Sequence, residues 1–124
     1  GCAATATTVD SAVISSGGYK YALLELRYSS ECRSAWARVT LTSGLACKPG
    51  DDHCATATIV RNSDGKSFTC GTPAGVGTSC YTAQLNDEGV TSHAQATFDN
   101  GPKSYFAKTG SFSPPYDPDE DLSE

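Results

Sequence analysis

Over residues 19–28 apolar and polar positions alternate, with Ala22, Leu24, Leu26 and Tyr28 on one side and Glu25 and Arg27 on the other. A period of two marks a strand with one buried face and one wet face. The pattern returns over residues 35–42, where Ala37, Val39 and Leu41 share a side and Trp36 and Arg38 take the opposite one. No stretch sustains a helical period over three turns, and Thr, Val, Tyr and Ser dominate, as pleated sheets prefer. Strands are predicted over residues 5–15, 19–28, 35–42, 55–61, 66–70, 79–85, 90–98 and 104–108. Between them lie turn signals: Ser16-Gly17-Gly18, Asn62-Ser63-Asp64-Gly65, Asn86-Asp87-Glu88-Gly89 and Asp99-Asn100-Gly101-Pro102.

About seven to eight short strands at this spacing predict an all-β domain. The expected form is a small, disulfide-stapled antiparallel β-sandwich or a partly open β-barrel. It should occupy residues 1–112. From Ser113 the chain turns proline-rich and then acidic, through Pro114-Pro115-Tyr116-Asp117-Pro118, which reads as an extended tail over residues 113–124.

Composition sharpens the picture at two points. The hydrophobic fraction is 38%, and much of it is alanine, so the core is thin and calls for covalent help. Six cysteines can provide that help, and no C-x-x-C pair suggests a redox centre or a zinc knuckle. A disulfide framework is therefore expected, and with it an oxidising, extracellular compartment. Proximity favours Cys47 with Cys54 and Cys70 with Cys80, each closing a short loop, which leaves Cys2 with Cys32. Crossed pairings among the last four cysteines remain the rival. The start at Gly1-Cys2, without a basic and then apolar leader, reads as a mature secreted form.

Charge matters through its placement. Net charge is −5, yet five of the fourteen acidic residues fall in the last eight positions, and the nine that remain balance nine Lys plus Arg. A neutral body without a basic stripe argues against nucleic acid and against an anionic membrane surface. No run of residues is long and apolar enough to span a bilayer as a helix, so membrane insertion is not expected.

The segment from Leu24 to Thr40 carries a resemblance. A Gly1-Cys2 opening with Ala6 is followed by Glu25-Leu26-Arg27-Tyr28-Ser29 and then by Cys32, Arg33, Trp36, Ala37 and Arg38. Order and spacing resemble a family of small secreted proteins from Gram-positive soil bacteria that is known only as a domain of unknown function. Its members usually carry a further cysteine- and glycine-rich stretch before the Gly-Cys, which this sequence lacks. The resemblance covers roughly the first forty residues. It implies secretion and a β-rich domain, and it implies no activity.

Glu25, Arg27, Arg33, Trp36 and Arg38 form the densest cluster of functional side chains. An aromatic flanked by arginines suits a protein-binding hot spot or a sugar platform. The plainer reading packs Trp36 over a Cys2–Cys32 bridge and pairs Glu25 with an arginine. Tyr116, in the Pro-rich tail, is a candidate docking residue in a polyproline-II segment. His53 and His93 are the only histidines, and their spacing assembles no metal site. There is no G-x-S-x-G elbow, and the cysteines are committed to disulfides, so no catalytic centre and no cofactor are expected.

The function expected is a secreted, non-enzymatic binding or adaptor domain, a subunit of an extracellular bacterial complex. Its partner would be another secreted or cell-surface protein, with the tail as a second docking element. The alternatives are a secreted protease inhibitor acting through the loop over residues 72–77, and a small glycan-binding protein or hydrolase in which Glu25 acts with another carboxylate and Trp36 stacks on sugar.

Overall fold

The computed structural model describes residues 6–29, 31–42, 54–72, 77–86, 91–99 and 104–112. These form nine strands: β1 (Ala6–Ser16), β2 (Tyr19–Ser29), β3 (Ser34–Leu41), β4 (Ala55–Arg61), β5 (Ser67–Thr72), β6 (Ser79–Tyr81), β7 (Leu85–Asn86), β8 (Ser92–Asp99) and β9 (Ser104–Lys108). All pairings are antiparallel. One sheet runs β1-β2-β3-β6, with β7 also on β3, and the other runs β5-β4-β8-β9. The predicted all-β, disulfide-stapled architecture is thus present, as two sheets and not a closed barrel.

Alternation builds the core. Leu24, Leu26, Val39 and Leu41 of the first sheet are buried, and so are Ala57, Ile59, Ala94, Ala96 and Phe98 of the second. Alanines on the second sheet let the backbones approach closely. One end is filled by rings: Tyr21 stacks on Phe98 at 4.8 Å and on Tyr105 at 5.2 Å. At the other end Tyr28 meets Phe112 at 5.2 Å. The β1–β2 hairpin closes through Gly17 (φ 60°) and Gly18 (φ 84°), left-handed values that the mirror-image hairpin turn requires and glycine adopts without strain.

The two open sides of the sandwich are closed by side chains. On one, a Cys70–Cys80 disulfide joins β5 to β6. On the other, Asp10 accepts a hydrogen bond from the backbone N–H of Gly110 at 2.8 Å. Asp10 sits where the register of β1 shifts against β2, between Thr8 and Asp10, and such a bulge re-aims a side chain. Cys32 and Cys54 are disulfide-bonded too. The predicted partners Cys2 and Cys47, and the tail over residues 113–124, lie outside the described residues.

Residues 79–85, predicted as one strand, are two. Thr82 interrupts them: its hydroxyl accepts from the N–H of Ala37 at 3.0 Å, a place that a strand carbonyl would normally take. Thr72 and Thr109 do the same for Ala55 at 3.2 Å and Ala94 at 2.9 Å. All three threonines are buried, so each hydroxyl spares a buried N–H from going unpaired where a strand ends.

Candidate functional site

The outer face of the first sheet gathers the charged residues that alternation placed there. Glu25 on β2 lies directly opposite Arg38 on β3, and Arg27 opposite Trp36. Arg38 donates through Nε to Glu25 Oε1 at 2.7 Å and through Nη2 to the same oxygen. The other carboxylate oxygen of Glu25 accepts from the Thr8 hydroxyl at 2.7 Å, and that hydroxyl in turn accepts from Arg27 Nη1 at 2.7 Å. Thr8 can serve both because β1 sets it opposite Arg27. Glu25 is only 8% exposed, so both its oxygens are satisfied within a sheltered network.

Arg38 also reaches Tyr81, its register partner on β6, with the guanidinium 5.7 Å from the ring centre. A hydrogen bond with Tyr81, together with the bond and charge of Glu25, holds the Arg38 pKa above its ordinary value, against the lowering effect of burial. Beside this pair lies a pocket of about 320 Å³ lined by Arg27, Trp36, Arg38, Tyr81, Thr82 and Gln84. Trp36 is 3% exposed and contributes a wall, not a platform, whereas Tyr81 is 57% exposed at the rim. Gln84 accepts from the Ser34 hydroxyl through Oε1 at 2.9 Å, which leaves its amide nitrogen as the donor end. Arg27 Nε is buried and has no hydrogen-bond partner.

The structure therefore brings Arg27, Trp36 and Arg38 to one pocket with Glu25 behind them. Arg33 is not among the lining residues. It sits in the β2–β3 turn with φ 49°, a left-handed backbone uncommon for a non-glycine residue. Tyr116 and His53 lie outside the described residues. His93 is bound through Nδ1 to Asn62 Oδ1 at 2.7 Å, and burial, with the nearby Lys108 charge, pulls its pKa below the ordinary histidine value. Among the described residues no group of three His, Cys, Asp or Glu could hold a metal ion. Thr8, Tyr81, Thr82 and Gln84 carried no local signal. They reach the site only through strand pairings separated by many residues in sequence.

The Glu25–Arg38 pair gives a prediction. Arg38→Met and Glu25→Gln should each cost about 1–2 kcal/mol in urea unfolding, since each leaves a sheltered polar group short of its partner. The double variant should cost clearly less than the sum of the two. Additive losses would mean that the pair is not coupled.

The family model described as "Protein of unknown function (DUF2690)" matches residues 1–95, more than half of the chain. The chain belongs to this family. The match extends well past the motif legible in the first forty residues, and it takes in every described residue that lines the pocket. The "Uncharacterized protein YjfA" of Bacillus subtilis (strain 168) is 31% identical over 119 residues, which span 90% of this chain and 73% of that protein. No solved structure matches the chain.

Proposed function

We propose that this chain is a secreted, non-enzymatic binding domain that holds a protein partner on the outer face of its five-stranded sheet, as a subunit of an extracellular complex. The observation that carries the reading is the pocket between Arg27, Arg38 and Tyr81, held in shape by the Glu25–Arg38 pair and the Thr8 relay. An exposed tyrosine beside fixed arginines is the composition of binding hot spots, and a preordered site loses little entropy on association. The disulfides fit an oxidising compartment. Among the described residues no acid lines the pocket and both oxygens of Glu25 are engaged, which favours binding over two-carboxylate hydrolysis as the reading of this face.

The test is capture from the culture supernatant of the producing bacterium, with wild-type protein and the rim variant Tyr81→Ala as baits. One stoichiometric protein retained by the wild type and depleted by Tyr81→Ala is expected. A bait that emerges as a clean monomer, or a partner indifferent to Tyr81, overturns the reading.

A specific observation favours protease inhibition as a second reading. The Cys70–Cys80 bridge ties together the two stems of the predicted loop over residues 72–77, whose residues 73–76 lie outside the described residues, and both stems are pinned. Thr72 bonds Cys54 and Ala55, while Gly77 and Thr78 bond Leu41. A loop held at both ends suits insertion into an active-site cleft. Serine and cysteine proteases that all run at full rate in excess protein would remove this reading.

A further inference from the structure

We infer that the pocket on the outer face of the first sheet is a carboxylate-binding site that takes an acidic group of a peptide, an inference that rests on the binding reading above and names the partner's chemistry. Among the described lining residues the charged groups are both guanidinium donors, Arg27 and Arg38, and the Gln84 amide nitrogen is the donor end of a side chain whose oxygen is already used by Ser34. The Thr82 hydroxyl is spent, since it accepts from Ala37 and donates to the carbonyl of Ala83 at 3.0 Å. What fits such a site must bring acceptors. The local charge points the same way: Arg27 and Arg38 face one carboxylate, Glu25, whose oxygens are taken by Arg38 and Thr8. One positive charge is left over, and Arg27, half-buried and bonded among the described residues to the Thr8 hydroxyl, carries it. An incoming carboxylate would add charge-assisted bonds to that guanidinium.

A peptide is a better source than a sugar acid. Trp36 is 3% exposed and offers no face for a pyranose to stack on, and Arg38 covers one face of the Tyr81 ring. The pocket volume, about 320 Å³, is at the small end for ligand sites and suits one side chain or chain end.

Trp36 is the sole tryptophan and lines the pocket, so its emission reports occupancy there. The titration uses short glycine-based peptides. The first is acetylated and amidated with one central glutamate, and the second replaces that glutamate with glutamine. The third has a free C-terminal carboxylate and no acidic side chain. A saturable change in Trp36 emission with the first or the third, and none with the second, is expected, and whichever binds names the source of the carboxylate. Arg27→Gln should weaken that binding about tenfold or more, as loss of a charge-assisted bond does. Arg27→Lys keeps the charge without Nε and should fall between. Arg61→Gln, whose guanidinium is held by Asp64 at a distant hairpin, should change nothing. Thermal unfolding of each variant shows that it is folded, and Arg27→Lys carries the test if Arg27→Gln is not. Equal response to the glutamine peptide, no response to any peptide, or binding unaffected by both Arg27 variants overturns the site. Glucuronate that competes as strongly as the glutamyl peptide overturns the peptide assignment in favour of acidic glycans. The two readings fail separately. A supernatant partner retained equally by wild type and Arg27→Gln keeps the binding domain and removes the carboxylate. A wild-type bait without a partner removes the binding domain, while the peptide titration still decides the pocket.

Discussion

Phe98→Ala is expected to destabilise the domain by about 3–5 kcal/mol, the range for removing a fully buried aromatic side chain. Phe98 has no exposed surface and is the largest wholly buried side chain among the described residues. The loss would combine lost transfer free energy with a cavity that the sheets cannot collapse to fill, because β4 and β9 hold β8 on both sides. It would also remove the stacking with Tyr21 that ties the first sheet to the second. Phe106→Ala is the control, since Phe106 is 58% exposed on the outer face and its truncation should stay within about 0.5 kcal/mol. Urea unfolding of the two variants measures the contrast. A Phe98→Ala midpoint indistinguishable from that of Phe106→Ala would show that this end of the sandwich is not the core it is taken to be.

Replacing Cys70 and Cys80 together by serine should cost about 3 kcal/mol. That is the chain-entropy value for a short closed loop, here a sequence separation of 10. The effect has a second, local part. β6 has three residues and, among the described strands, pairs with β3 alone, so the bridge to β5 is a tether on its other side. Loosening β6 frees Tyr81, and with it one partner of Arg38. The variant should therefore show a changed Trp36 emission under native conditions as well as a lower urea midpoint. A lowered midpoint with unchanged emission would place β6 under the control of its β3 ladder alone, and an unchanged midpoint would contradict the entropic argument altogether.

The fold was legible where its information is local. The alternation Ala22, Leu24, Leu26, Tyr28 against Glu25 and Arg27 fixes which face each residue of β2 takes, and the structure buries the first set. Glycine pairs and Asn-Ser-Asp-Gly clusters mark hairpin turns because few other residues tolerate their dihedrals. The β4–β5 turn shows it, with Gly65 at φ 73° and Asp64 bound to Arg61. Loop length favoured the Cys70–Cys80 bridge, and that bridge is present. The polar face of β2 and β3 was likewise enough to assemble Glu25, Arg27, Trp36 and Arg38. Alternation puts them on one side, and the single turn between the strands sets their register.

The rest depends on contacts between residues far apart in sequence. Alternation assigns Tyr21 to the polar side, yet it stacks on Phe98 and Tyr105, because the β1–β2 register shifts between Ile14 and Ser15 and leaves Tyr21 as the extra residue of a bulge that re-aims its ring. Thr82 reads as one more strand residue until its hydroxyl is seen to replace a carbonyl opposite Ala37.

Periodicity, turn chemistry and cysteine spacing thus indicate most strands and their buried faces and favour one disulfide, since each of these is a property of neighbouring residues. Strand order, the choice of two sheets over a barrel, and the pocket arise from pairings such as Arg38 with Tyr81 and Asp10 with Gly110. Backbone ladders look alike whichever strand supplies them. Only the simultaneous packing of both sheets selects the partner, and that selection turns a row of charged residues into the side of an open pocket.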